Sequence, residues 1–407
     1  MRSYSFFAIL LLCIAIVSID AVTFYWLQSI IKWIPSATTQ LFINILFWIF
    51  TIGLVSAILV FKIRIGKVPV TRRQPIISSL YGLTISSFIP KIIFVIIVSI
   101  LYFSNYIFSD TESIWIVPTI GLIAGFLPFF VIAYAIFKAV YKFKVERIIV
   151  NHKDLPKSFD GLKIVQISDL HLGSFNYRYP ILERAVRIIN ELDADVIFFT
   201  GDLVNNFAWE LNGWEKVLDK LSAKKAKYAI LGNHDYGDYS DWESAEEKEE
   251  NFEKIKSFYD KIDFKLLLNQ AELLFNDNQN IAIVGVENWG LPPFRQDGNL
   301  NKALKTVKDV PFKILLSHDP THWSEEVIGQ TDITLTLSGH THGMQAGINI
   351  MGKQWSPIKY KYKHWAGLYK EQNQYLYVNK GLGWLGFPGR LGMRPEITLI
   401  KLKSDKL

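Results

Sequence analysis

Four apolar runs, at residues 4–19, 39–61, 87–108 and 114–137, fill most of the first third of the chain. Each is near the ~20 residues that a helix needs to cross the hydrocarbon core of a bilayer, so residues 1–140 are expected to form an α-helical transmembrane region of about four helices. The first run is the shortest, and Asp20 interrupts the apolar sequence beyond it. With Arg2 ahead of it, this run also fits a signal peptide. A second membrane-length run comes soon after, however, and cleavage would leave an odd number of spans, so retention is expected. The loops set the orientation. Lys62, Arg64, Lys67, Arg72 and Arg73 lie between runs two and three, and Lys138, Lys142, Lys144 and Arg147 follow run four, whereas the other two loops offer Lys32, Asp110 and Glu112. By the positive-inside rule both chain ends are cytoplasmic, which predicts a multi-pass protein of the inner (cytoplasmic) membrane with its C-terminal domain in the cytoplasm. Asp20 and Lys91 sit near segment ends and are expected to snorkel to the interface. Pro90, Pro118 and Pro128 read as kinks rather than transport hinges.

Charge supports the division. Residues 1–140 hold nine Lys or Arg against three acids, and the remaining 267 hold 35 of each. The basic surplus therefore belongs to membrane loops and not to a globular face, so no nucleic-acid partner is expected. Half of the chain is hydrophobic and a fifth is charged, which excludes intrinsic disorder. Cys13 is the single cysteine, so neither a disulfide framework nor a thiolate zinc site can form.

After a connector at 141–162, the composition from residue 163 to 407 becomes that of a globular domain. Short β-branched runs at 163–168, 196–200, 228–231, 281–286, 312–316 and 333–337 read as strands buried on both faces. Segments 178–192, 210–221 and 241–259 read as amphipathic helices, giving an α/β domain with parallel pairing at its centre. Residues 375–378 and 396–402 alternate like antiparallel strands, so a mixed or second sheet is expected.

Most of the early strands end in side chains that can hold a metal. Asp169 and His171 follow the first, Gly201-Asp202 the second, Gly232-Asn233-His234-Asp235 the third, and Ser317-His318-Asp319 and Gly339-His340-Thr341-His342-Gly343 follow later ones. Loops at the carboxyl ends of parallel strands converge on one crevice. Five of the eight histidines lie in these clusters. Carboxylates, imidazoles and an amide oxygen without thiolate favour Mn, Fe or Zn. The count exceeds one ion's needs. Two divalent ions about 3.5–4 Å apart, bridged by a carboxylate, can clamp a phosphoryl group and generate hydroxide from water.

The ordered blocks Asp169-Leu170-His171, Gly201-Asp202, Gly232-Asn233-His234-Asp235, Ser317-His318-Asp319 and Gly339-His340-Thr341-His342 resemble those of the calcineurin-like metallophosphoesterase superfamily, over about residues 150–402. The chain is most similar to the membrane-anchored bacterial branch, through Ser168 to His171, Gly381 to Gly383, Arg390 and Arg394 to Glu396. The resemblance implies a four-layer αββα sandwich and a dinuclear centre. One ion would take Asp169, His171, Asp202 and His342, and the other the bridging Asp202 with Asn233, His318 and His340. His234 would be the catalytic acid or phosphate-contacting residue. Met344 departs from the branch, standing where a second glycine is usual. The arginine that protein serine/threonine phosphatases carry beside the second and third blocks is missing, since Asp202 precedes Leu203-Val204-Asn205 and Asn233 follows Leu231-Gly232. A phosphoprotein substrate is therefore disfavoured.

The expected activity is metal-dependent hydrolysis of a phosphomonoester, phosphodiester or pyrophosphate by a metal-bound hydroxide. A lipid-linked substrate is among the candidates because the chain is tethered to a membrane. A non-enzymatic membrane sensor or scaffold whose domain binds nucleotide or metal is the competing class, and a transporter fused to a regulatory phosphoesterase a third. The oligomeric state is not encoded in these patterns. Residues 243–250 read as a solvated helix face. Residues 353–369 mix lysines with Trp and Tyr, and read as a surface hairpin or, in rivalry, as a flap beside the metals that touches anionic headgroups.

Overall fold

The structure, a computed structural model, describes residues 5–108, 116–350 and 353–405. The loop acids Asp110 and Glu112, Arg2 and the outer ends of the first and fourth apolar runs lie outside them. The chain divides into a helical unit, residues 2–138 with 386–389, and a second unit holding the rest.

Among the described residues, four helices are long and apolar enough to cross a membrane. They are α1 (Phe6–Ile31), α2 (Ala37–Arg64), α3 (Val70–Phe108) and α4 (Ile116–Phe137). Ser5 and Ser36 cap the first two, each side chain accepting a backbone N–H of the first turn. Large apolar side chains such as Phe7, Ile63 and Phe130 point outward, the arrangement suited to lipid. Gly121 and Gly125, one turn apart on α4, let it approach α3 closely, because a Cβ on Gly121 would meet Val98 Cγ2 at 2.1 Å.

The structure corrects the reading of Asp20 and Lys91. Helix α1 runs on past Asp20, which is 1% exposed. Its Oδ1 lies 2.7 Å from Lys91 Nζ on α3, and Thr51 on α2 donates its hydroxyl to Oδ2. Lys91 Nζ also sits over the Phe47 and Phe50 rings. The charges neutralise each other inside the bundle instead of snorkelling, since an unpaired charge there is costly.

The second unit contains strands β1 (Lys144–His152), β2 (Lys163–Ile167), β3 (Val196–Thr200), β4 (Ala226–Ile230), β5 (Lys265–Leu266), β6 (Gln270–Asn276) and β7 (Gln279–Gly285). After these come β8 (Lys313–Leu316), β9 (Leu335–Ser338), β10 (Ile348–Ile350), β11 (Lys353–Trp355), β12 (Gly367–Glu371), β13 (Gln374–Val378) and β14 (Glu396–Ser404). Two six-stranded sheets form, ordered β1-β14-β2-β3-β4-β5 and β12-β13-β9-β8-β7-β6, and β10 pairs with β11 as a separate hairpin. Adjacent residues of a strand point to opposite faces, so both layers of core are written into each apolar run. Ile164 and Phe198 meet Ile283, Ile314, Leu335 and Tyr377 between the sheets. Their neighbours Val165 and Phe199 pack outward against Leu182 of α5 (Tyr179–Glu191), and, beyond the short α6 (Glu215–Leu218), against Phe258 of α7 (Ala245–Lys261). Val284 and Leu315 pack against Leu300 of α8 (Leu300–Leu304) and against Trp323. Each such side chain contributes about 1.5–3 kcal/mol. The result is the expected helix–sheet–sheet–helix sandwich.

Two local expectations differ from what is observed. Residues 141–162, read as a connector, contain β1, whose nine residues pair in parallel with β14 along their whole length. Residues 210–221 do not form one helix. The chain makes a 3-10 turn (Ala208–Leu211), passes Gly213 at φ 78° and resumes as the single turn of α6, because a left-handed residue ends the helical ladder. The C-terminal strands are each antiparallel to one neighbour and parallel to the other, β13 to β12 and β9, β14 to β2 and β1, so both sheets are mixed, as expected. The acidic stretch at 243–250 is an exposed helix start, as expected.

Candidate metal centre

Strands β2, β3 and β4 run parallel, as do β7, β8 and β9, so the loops leaving β2, β3, β4, β8 and β9 can gather on one crevice. The backbone there is unusual. Asp169, His171, Asp202, His340 and His342 all adopt positive φ, between 46° and 72°. Such left-handed conformations are uncommon without glycine, and where several cluster the surrounding structure must enforce them. Gly339 shows how. A Cβ there would lie 2.0 Å from Ser168 Oγ and 2.3 Å from Asp169 Oδ2, so only glycine lets the loop after β9 close onto the loop after β2. His340 N then donates to both carboxylate oxygens of Asp169 at 3.1 Å.

Two clusters of ligand atoms result: Asp169, His171 and His342, and Asp202, His318 and His340. In the first, His342 Nε2 lies 3.2 Å from Asp169 Oδ1 and 3.0 Å from His171 Nε2. In the second, His318 Nε2 lies 3.2 Å from Asp202 Oδ2, which is also 3.6 Å from His171 Nε2. Asp202 thus stands between the clusters. Asn233 joins the second, its Oδ1 2.8 Å from His340 Nδ1. His234 holds its Nδ1 2.7 Å from Asn205 O, and its ring centroid is 5.0 Å from that of His171. All eight residues expected in the site are therefore gathered by the fold.

The donor set suits a cation. The carbonyl of Thr200 can only accept, so His318 Nδ1 at 2.6 Å carries the proton in the neutral ring, and Nε2 is left buried without a hydrogen-bond partner. His171 and His342 aim Nε2 at Nε2, a contact in which at most one nitrogen can donate. Burial alone would raise the Asp169 and Asp202 carboxyls. The imidazoles of His342 beside the one and His318 beside the other outweigh it and hold both below the usual carboxylate range. Burial pushes His171 down to about 3. For His318 burial acts downward too, yet Asp202 lifts it to about 10, so an incoming ion must displace that proton.

Several supporting residues do work that the sequence did not assign to them. Asp235 lies within a motif, but its work is to accept the backbone N–H groups of Asp202, Leu203, Val204 and Gly232, tying the loops after β3 and β4 together. Glu210 accepts those of Asn205, Asn206 and Phe207, which fixes the carbonyl that holds His234. Burial pushes both carboxyls up to about 7. Arg390 is fully buried, bonds the carbonyls of Lys380, Gly383 and Met393, and places Nη2 3.2 Å from His342 Nδ1. Tyr362 sets its hydroxyl 2.8 Å from His340 Nε2.

Residues 162–344 match the family described as Calcineurin-like phosphoesterase, and residues 2–140 match one described as Probable Calcineurin-like phosphoesterase, transmembrane domain. The uncharacterized metallophosphoesterase YkuE of Bacillus subtilis is 32% identical over 61% of this chain and 82% of its own length. The chain belongs to the calcineurin-like metallophosphoesterase family. It is a membrane protein and a phosphoric ester hydrolase of that family. A Danio rerio transmembrane protein with metallophosphoesterase domain is 29% identical over 67% of this chain, which spans 60% of that relative. The UDP-2,3-diacylglucosamine pyrophosphatase LpxG of Chlamydia trachomatis is 29% identical over 61% of this chain and 86% of its own length.

Proposed function

We propose that this metallophosphoesterase hydrolyses its phosphate ester at a dinuclear centre. Asp169, His171, Asp202 and His342 would hold one divalent ion, and Asp202, Asn233, His318 and His340 the other, with Mn, Fe and Zn all compatible with the donors. The observation that carries this reading is Asp202 Oδ2 lying within 3.6 Å of an imidazole of each cluster. Bound there, the ions would supply Lewis acidity toward the phosphoryl oxygens and toward water. The protein's own residues do the rest. Asp202 would belong to both sites, and His340 N on Asp169 keeps the loops in register. Asn205 O holds one proton on His234 Nδ1, so in the doubly protonated ring Nε2 is the atom that would pass its proton to the leaving-group oxygen, leaving the neutral imidazole. Burial lowers the His234 pKa, which makes that proton easier to release.

The positive-inside pattern supports a cytoplasmic catalytic domain on an inner membrane. The four helices, with a relative named for a lipid-sugar pyrophosphate, support a lipid-linked ester or pyrophosphate as substrate. The test is a panel of nitrophenyl phosphate, bis(nitrophenyl) phosphate and a lipid pyrophosphate, given to the purified full-length chain with Mn, Fe or Zn. Metal-dependent turnover that ceases with a chelator is expected. Turnover indifferent to chelation would overturn the reading.

A further inference from the structure

We infer that residues 344–350 and 353–363 form a contact surface for an anionic bilayer, which seats the metal centre at the level of the lipid headgroups. Among the described residues, β10 and β11 pair with each other and with no strand of either large sheet. Its register places Ile348 opposite Trp355 and Ile350 opposite Lys353, so these four share one face. Ile348 is 52% exposed, Ile350 61% and Trp355 39%, and Met344 and Tyr360 extend the apolar surface at 54% and 78%. Exposed apolar side chains sharing one face, as Ile348, Ile350 and Trp355 do, mark an interaction site.

The charge pattern selects the partner. From residue 344 to residue 370 the sequence has five lysines and no Asp or Glu. Lysines beside Trp, Tyr and aliphatic side chains suit the boundary between anionic headgroups and acyl chains. The helices α1 to α4 keep that boundary within reach of the same chain. The hairpin is also rooted in the site. Ser356 donates to Gly343 O at 2.8 Å, Thr341 donates to Trp365 O at 2.6 Å, and Tyr362 meets His340. A surface held by the bilayer therefore holds the loop that carries His340 and His342. The contact would present a lipid-anchored ester to the centre. Only this last consequence rests on the function proposed above.

The test uses the full chain, reconstituted in vesicles of phosphatidylcholine with or without phosphatidylglycerol. In a Cys13→Ser background, a fluorophore on Ile350→Cys is expected to be quenched by acyl-brominated lipid, several-fold more than one on Asp277→Cys in the turn between β6 and β7. A label on Lys353→Cys gives a second reading should Ile350→Cys fail to fold. Replacing Lys353, Lys359 and Lys363 by Gln should remove most of the extra quenching gained with phosphatidylglycerol. Equal quenching at 350 and 277, or no gain with anionic lipid, overturns the inference, and a protein partner for this face would give the same negative result. Turnover of nitrophenyl phosphate is read alongside. Its absence would count against the hydrolase reading while leaving the quenching result to stand alone.

Discussion

Asp20 in the helical unit and Asp202 in the catalytic unit are each 1% exposed, and their charges are met in opposite ways. Asp20 is closed: Lys91 and Thr51 take its two oxygens. Asp202 is open: its Oδ1 accepts the His234 backbone N–H, and its Oδ2 faces the imidazoles of His318 at 3.2 Å and His171 at 3.6 Å. A buried carboxylate that has its own ammonium needs nothing further. One whose partners are imidazoles, rings that can give up a proton and turn a lone pair to a metal, is arranged for a cation from outside the chain. Within one molecule, the first arrangement fixes helices to one another and the second leaves room for chemistry.

The contrast breaks most sharply at Asp202. Asp202→Ala should reduce metal-dependent turnover by at least the ~10²–10⁴-fold that a single acid–base group is worth, with no second substitution able to restore it. His234→Asn should slow turnover by about 10²–10⁴-fold while metal content stays unchanged, because in the proposed centre His234 stands beside the ions and is not a ligand. The sign of its pH effect comes from burial, which lowers the His234 pKa. A donor must be protonated, so kcat/KM should fall as pH rises through a value below the usual ~6.5, and this descending limb should vanish in His234→Asn.

The closed site should behave differently. Asp20→Leu leaves Lys91 partly buried and unpaired and should cost about 3 kcal/mol in an unfolding titration, the lower end of what breaking a fully buried pair costs. Adding Lys91→Leu should recover most of it. A double variant as unstable as the single would mean that the pair does more than compensate charge. The smallest effect is expected at the rim of the open site. Tyr362→Phe removes the hydroxyl facing His340 Nε2 and should weaken metal binding or turnover by roughly 10-fold.

Legibility in the sequence divides along the same line. The candidate ligands could be read because each stands just after an apolar strand, so a one-dimensional pattern marks a three-dimensional crevice. The partner of Asp20 could not, since Lys91 lies 71 residues away and only packing brings them together. Pairing of β1 with β14 joins the two ends of the domain, a contact that no local pattern reports. Glu210 looked like the start of a helix. Its carboxylate instead binds three backbone N–H groups of the preceding loop, and Gly213 ends the turn. Tyr362 lay in a segment read for its lysines, and its contact with His340 depends on how residues 353–363 fold back.

The most direct measurement is metal stoichiometry. The purified full-length chain, loaded and dialysed, should hold two divalent ions per chain by elemental analysis, and Asp202→Ala should lose the pair together because the two sites share that carboxylate. Two ions retained by Asp202→Ala, or a wild-type chain that saturates at one, would contradict a dinuclear centre bridged by Asp202.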